Sequence, residues 1–190
     1  MMGDGGINNP WQANITLNSN ADFHYISYVK ALGKKLFGVT PAIRKRKIQK
    51  AVDISFASTS MVDFLVSQGL YRGNKIDAGL RIPDWILADG SYRKACVRGL
   101  MDTDGCLYVH RHTVANKFYR NIGLCFSSFS PPLMAQVGVI FEEFSIIPHI
   151  TKDGRKLYLY SRKAVARYMA VFGSSNERII SVYKTNGGVG

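Results

Sequence analysis

The sequence predicts an α+β chain made of two copies of one α-β-β-α-β-β-α unit. Three observations carry this. The string Asp102-Thr103-Asp104-Gly105 closes a segment of helical pattern, and a shortened echo of it, Met2-Gly3-Asp4-Gly5-Gly6, stands one hundred residues earlier. Phe37-Gly38-Val39-Thr40-Pro41 recurs as Phe144-Ser145-Ile146-Ile147-Pro148, and Ser58 recurs as Ser161. Both halves then run through the same order of alternating and helix-periodic segments. Matched positions drift in offset because hairpin loops differ in length where the elements do not.

In the first copy, Gln12 to Asn18 alternates polar and apolar residues and reads as a strand. Ala13, Ile15 and Leu17 would face a core, leaving Gln12, Asn14, Thr16 and Asn18 outward. Asp22 to Leu36 reads as a helix, with Phe23, Ile26, Val29 and Leu36 as its apolar stripe. Strands follow at Ala42–Lys47 and Ala51–Ala57, with Val52, Ile54 and Phe56 pointing inward. A helix from Ser60 to Gln68 closes the copy, and Ser58, Thr59 or Ser60 can cap it. The first repeat therefore covers 1–80, with its leading helix cut down to Met1–Gly3.

Residues 81–91, containing Ile82-Pro83-Asp84-Trp85 and Ala88-Asp89-Gly90, make the linker, and the second repeat covers 92–190. Its leading helix runs from Tyr92 to Thr103. Strands follow at Cys106–His112 and Phe118–Ser127, then a helix over Pro132–Phe144 with proline in its first turn. Strands at His149–Lys152 and Lys156–Ser161 flank a tight turn at Asp153-Gly154. A helix over Lys163–Val171 and a basic C-terminal segment complete the copy.

Composition bounds the partners. The chain has 190 residues, a net charge of +12 and 46% hydrophobic residues, the profile of a globular basic protein. Residues 1–90 carry 11 Lys/Arg against 7 Asp, and residues 91–190 carry 14 against 6 acids. Charge spread in this way suggests two basic surfaces and a polyanionic partner, most simply nucleic acid. No apolar run approaches the roughly 20 residues that span a bilayer, and no secretory signal opens the chain. The expected location is intracellular, in cytoplasm or organelle, with no membrane partner. Cys96, Cys106 and Cys125 are odd in number and lack C-x-x-C spacing, so they read as reduced thiols.

Acids at a helix C-terminus oppose the helix dipole unless a cation offsets them. Asp102 and Asp104 stand at such an end, which points to metal. A calcium loop is excluded, because the glycine and bidentate glutamate it needs are not at the right offsets. Ala95, Gly99 and Thr103, spaced by four, give the helix a small-residue face on which a second helix could pack closely. Two such helices side by side would bring Asp4 and Asp104 together. Paired carboxylates of this kind recruit a hard cation, Mg²⁺ (or Mn²⁺).

Val97-Arg98-Gly99-Leu100-Met101-Asp102-Thr103-Asp104-Gly105 resembles the nine-residue signature of the LAGLIDADG homing endonucleases. Ile82-Pro83-Asp84-Trp85-Ile86 before it and Cys106-Leu107-Tyr108 after it are also similar to two-motif, single-chain members. The resemblance implies paired four-stranded antiparallel sheets forming a saddle on DNA. It implies that Asp4 and Asp104 bind divalent metal, with the carbonyls of Gly3 and Thr103 as backbone ligands, while Asp102 is structural. Lys75 and Arg178 occupy the place of the family's catalytic basic residues, and Asn18 or Ser19, with Ser127 or Ser128, that of water-orienting polar groups. DNA contacts would come from Gln12, Asn14, Thr16 and Asn18, from Arg44 and Arg46, and from Tyr108, His110, Arg120, Lys152, Arg155, Lys156 and Tyr158. His110 and His112 share a strand face and read as surface or DNA-facing residues.

The implied function is site-specific, metal-dependent double-strand cleavage of DNA at a long, imperfectly palindromic target. The alternative is an inactive nucleic-acid-binding relative, an intron maturase or transcriptional regulator. The chain would act as a monomer, or as a dimer through the 92–103 helix.

Overall fold

The computed structural model describes residues 1–186, with the side chains of His112 and Val114 excepted. The last four residues of the expected second repeat therefore lie outside the described residues, as does any metal or DNA role for the His112 side chain. The chain divides into two compact units, Met1–Pro83 and a second from Asp84 onward.

The first unit contains β1 (Gly5–Asn9), β2 (Gln12–Asn18), α1 (Phe23–Phe37), β3 (Ala42–Lys45), β4 (Ala51–Ala57) and α2 (Thr59–Ser67). The second contains α3 (Asp84–Leu87), α4 (Gly90–Asp104), β5 (Gly105–Val114), β6 (Lys117–Ser127), α5 (Pro131–Glu143), β7 (His149–Ile150), β8 (Lys156–Leu159), α6 (Arg162–Val171) and α7 (Glu177–Asn186). Each unit holds one antiparallel four-stranded sheet, in the orders β1-β2-β4-β3 and β5-β6-β8-β7. The topology is the same in both, as the internal repeat requires. Met1–Asp4 form no helix, where the sequence offered only Met1–Gly3 of one.

Matched residues do matched work. Ser58 and Ser161 each cap the helix that follows, accepting from Met61 N at 3.2 Å and Ala164 N at 3.1 Å. Gly38 and Ser145 both take left-handed backbone, at φ 68° and 59°, to end α1 and α5. Serine there carries a steric cost that glycine avoids. Among the described residues, no helix is long and apolar enough to cross a membrane.

The first core is built by Ala13 and Leu17 of β2 and Val52, Ile54 and Phe56 of β4, packed under α1 and α2. The face of α1 differs from its expected stripe. Phe23 and Leu36 are 64% and 61% exposed, and the buried positions are Tyr25, Val29 and Gly33. These three recur every four residues and so share a face. Gly33 belongs to it because the Phe56 ring fills the space its side chain would need.

Gly33→Ala is therefore expected to cost about 2–3 kcal/mol by overpacking, measured as a lowered denaturant midpoint. A midpoint at or above the parent's would show that the ring can move aside.

Candidate functional site

The second motif is fixed from three sides. Asp89 starts α4 by accepting from Ser91 N at 2.8 Å and Tyr92 N at 3.0 Å. At the other end, Asp102 is buried, and Ser175 N–H donates to its carboxylate at 2.9 Å beside the Ser174 hydroxyl. Asn176 Nδ2 donates to the Asp102 main-chain carbonyl at 2.9 Å. The 174–176 segment thus closes over the helix end. Burial pushes the Asp102 carboxyl up from its ordinary pKa, against the pull of its hydrogen bonds from Ser174 and Ser175.

Asp104 is half-buried, and its Oδ2 accepts from the Thr103 hydroxyl at 3.1 Å. The chain passes straight from α4 into β5 at Gly105, whose N–H returns to Met101 O. A Cβ at Gly105 would stand 2.6 Å from Met101 Cε and 2.9 Å from Met101 Cα, so only glycine allows this turn.

The first motif reproduces the turn without the helix. A Cβ at Gly5 would stand 2.8 Å from Met1 Sδ, again against the methionine four residues back. Asp4 is exposed at the side chain, and its carbonyl accepts from Thr16 N at 3.1 Å. Lys75 Nζ donates to the carbonyls of Met1 (3.3 Å), Gly3 and Gly5 (2.7 Å). In the second unit, Arg178 Nη2 donates to the carbonyl of Gly105 at 3.3 Å. Each basic residue reaches the glycine that follows its unit's acid.

They do so from different registers. Asn74 Oδ1 accepts from Ile76 N at 3.1 Å and Asn176 Oδ1 from Arg178 N at 3.0 Å, which aligns Asn74 with Asn176. Lys75 then aligns with Glu177, and the cation shifts by one residue. Sequence reading missed these asparagines, although Asn74 and Asn176 recur at an offset close to that of the acids.

Hard oxygen donors suit Mg²⁺ at Asp104, where carboxylate and main-chain carbonyls lie together at a helix end. Among the described residues, no group of three or more His, Cys, Asp and Glu could hold a metal on its own. In the first unit, the Gly3 carbonyl already accepts from Lys75.

The outward sheet faces carry most of the other expected residues. In the first unit, Thr16, Asp53 and Arg44 form one cross-strand row. Asp53, which sequence reading passed over, accepts from Thr16 Oγ1 at 2.8 Å and from Arg46 Nε and Nη2 at 2.9 and 2.7 Å. Arg46 also donates to Gln49 at 2.9 Å. Its hydrogen bonds hold the Asp53 carboxyl below its ordinary pKa, and the ion pair holds Arg46 above its own. Arg46 lies just past β3, which ends at Lys45, earlier than the expected Lys47. Gln12 and Asn14 flank this row on β2, and the Asn18 side chain serves the turn into α1 by accepting from Asn20 N and Ala21 N at 3.0 Å.

In the second unit, Cys106, Cys125, Tyr158 and His149 make a row, flanked by Tyr108, His110 and Lys156 on the same face. Tyr158 and Tyr160 stack at 5.2 Å. Arg120 does not join this face. It pairs with Arg111, one residue out of step with His110, and its guanidinium bonds Asn186 of α7. Period-2 geometry sends it to the helix side. Lys152 and Arg155 sit in the β7–β8 turn, beyond the end of β7 at Ile150, with Arg155 5.1 Å over the Phe129 ring.

Residues 91–181, spanning α4 to the start of α7, match the LAGLIDADG-like domain family. The second repeat is thus similar to the LAGLIDADG-like domain. LAGLIDADG meganucleases also share the chain's fold: I-SmaMI bound to uncleaveable DNA aligns at TM-score 0.60 and 9% identity, over 95% of this chain and 84% of that one. I-LtrWI, a LAGLIDADG homing endonuclease bound to target DNA, aligns at TM-score 0.57 and 7% identity over 95% and 83%. I-AabMI bound to uncleaved DNA aligns at TM-score 0.56 and 10% identity over 95% and 84%. At these identities the likeness is one of fold, and it extends across both repeats although the LAGLIDADG match covers one. No curated protein matches the chain in sequence.

Proposed function

We propose that this chain is a site-specific, metal-dependent endonuclease of the homing type that cleaves both strands of DNA. The observation that carries this reading is the duplicated turn: an acid, then a glycine packed on the methionine four residues back, then a cation on that glycine's carbonyl. Such a construction repeated in both units supports two placed carboxylates, Asp4 and Asp104. A divalent cation, Mg²⁺ or Mn²⁺, would supply Lewis acidity and a water of lowered pKa. The chain's part is to hold each carboxylate at the head of a sheet whose outward face offers hydrogen-bonding and basic side chains. Asn14, Thr16, Arg44 and the Asp53-held Arg46 suit base edges and phosphates on one sheet, as Tyr108, His110 and Lys156 do on the other. The proposed protein acts inside the cell, as a monomer on a long, imperfectly palindromic site.

The test is selection from a randomised double-stranded DNA library. With Mg²⁺ the expected product is one family of cut sites, and with Ca²⁺ the same family is expected bound and uncut. Binding in both salts with no cutting would replace this reading by the second, a non-cleaving nucleic-acid binder.

A further inference from the structure

The two acids are held by different means, and the difference assigns a role to Lys75. Asp104 ends a 15-residue helix whose last turn is locked by Asp102, Ser174, Ser175 and Asn176. At the position equivalent to Asp102 the first unit has Met2, which offers no carboxylate for such a lock. What surrounds Asp4 instead is Lys75, whose ammonium gathers the carbonyls of Met1, Gly3 and Gly5. An ammonium has three donors and can satisfy three acceptors at once. Three alternate carbonyls drawn to one point fix the path of the main chain on both sides of Asp4. We propose that Lys75 is the positioning residue of the first acid: it does for Asp4, through backbone carbonyls, what the Asp102 lock does for Asp104.

This deepens the endonuclease reading and rests on it for its functional consequence, but its structural core stands on Lys75 alone. The Thr16 N–H donates to the Asp4 carbonyl, so its exchange with solvent reports directly on how firmly Asp4 is seated. In Lys75→Met, which keeps the length of the side chain and loses the charge, Thr16 exchange is expected to accelerate at least about tenfold. Exchange at Val52 and Ile54, in the core strand β4, is expected to stay within about twofold, which also shows that the variant folds. Lys75→Arg, still able to donate to several carbonyls, is expected to restore most of the protection. In Arg178→Met, exchange at Ser175, whose N–H binds Asp102, is expected to stay within about twofold, because the lock does not depend on Arg178. Unchanged Thr16 exchange in Lys75→Met, or equal loosening of Ser175 in Arg178→Met, overturns the proposal.

On a DNA site recovered by the selection above, Lys75→Met is expected to accumulate nicked duplex that the parent does not, with DNA affinity unchanged and Lys75→Arg restoring the second cut. Equal loss of both cuts would overturn the assignment of Lys75 to one acid. A parent chain that cuts no DNA would remove the nuclease reading and leave the exchange result to decide the role of Lys75 by itself.

Discussion

Asp104→Asn is expected to lower DNA cleavage by about 10³-fold or more while leaving DNA affinity within about threefold. Asparagine preserves the shape of the side chain and can still accept from the Thr103 hydroxyl, so the helix end keeps its structure. What it lacks is the anionic oxygen that a hard dication requires. The same change takes an acid away from a helix C-terminus, where the dipole opposes it. Stability should therefore hold or rise by about 0.3–1 kcal/mol. A variant that melts no lower than its parent, binds DNA and does not cut it carries the signature of a lost metal ligand. Retained cutting would sink the role of Asp104.

Asp102→Ala has the opposite signature. The carboxylate is 2% exposed and accepts from the Ser174 hydroxyl and the Ser175 N–H. Truncation leaves both donors facing a void, at an expected cost of about 3 kcal/mol. Thermal melting should fall by about 6–12 °C in a chain of this size. The pH dependence separates this acid from the surface ones. Because the folded-state pKa of Asp102 is raised, its contribution to stability is fully present below the unfolded value and is lost as pH rises through the folded one. Asp53 runs the other way: its lowered pKa gives stability that is present above the unfolded value and lost as pH falls through the folded one. Asp102→Asn should then remove a decline in stability that sets in as pH rises above the ordinary aspartate value of about 4. Melting curves across that range would show it, and a parent whose stability climbs as steeply as the variant's there would contradict the buried-acid account.

The parts that were legible in sequence are those decided by neighbours along the chain. Val52, Ile54 and Phe56 alternate into the core because a strand sends every second side chain the same way. Asp104-Gly105 was readable because acid and glycine are adjacent. Gly33 was not, since its partner Phe56 lies on another element and a glycine carries no apolar signal. Arg120, expected among the DNA contacts, shares its side of β6 with buried Ile122, Leu124 and Phe126, a parity that the alternation of β6 already carried. The α7 helix was read only as a basic segment, and the Ser174–Asn176 lock depends on contacts some 70 residues apart. Lys75 was placed near the acid by family resemblance, but its carbonyl acceptors are visible only once the chain is folded.

The Arg46–Asp53–Thr16 network has a consequence for how the first sheet would meet a polyanion. A guanidinium whose Nε and Nη2 edge already faces a carboxylate neutralises less phosphate charge and so displaces fewer of the counterions condensed on a duplex. The formal charge of +12 therefore overstates the ionic component of any duplex contact made there. On the proposed reading, this face works as a template of oriented donors and acceptors, and its grip on DNA should be less sensitive to salt than its arginine count suggests.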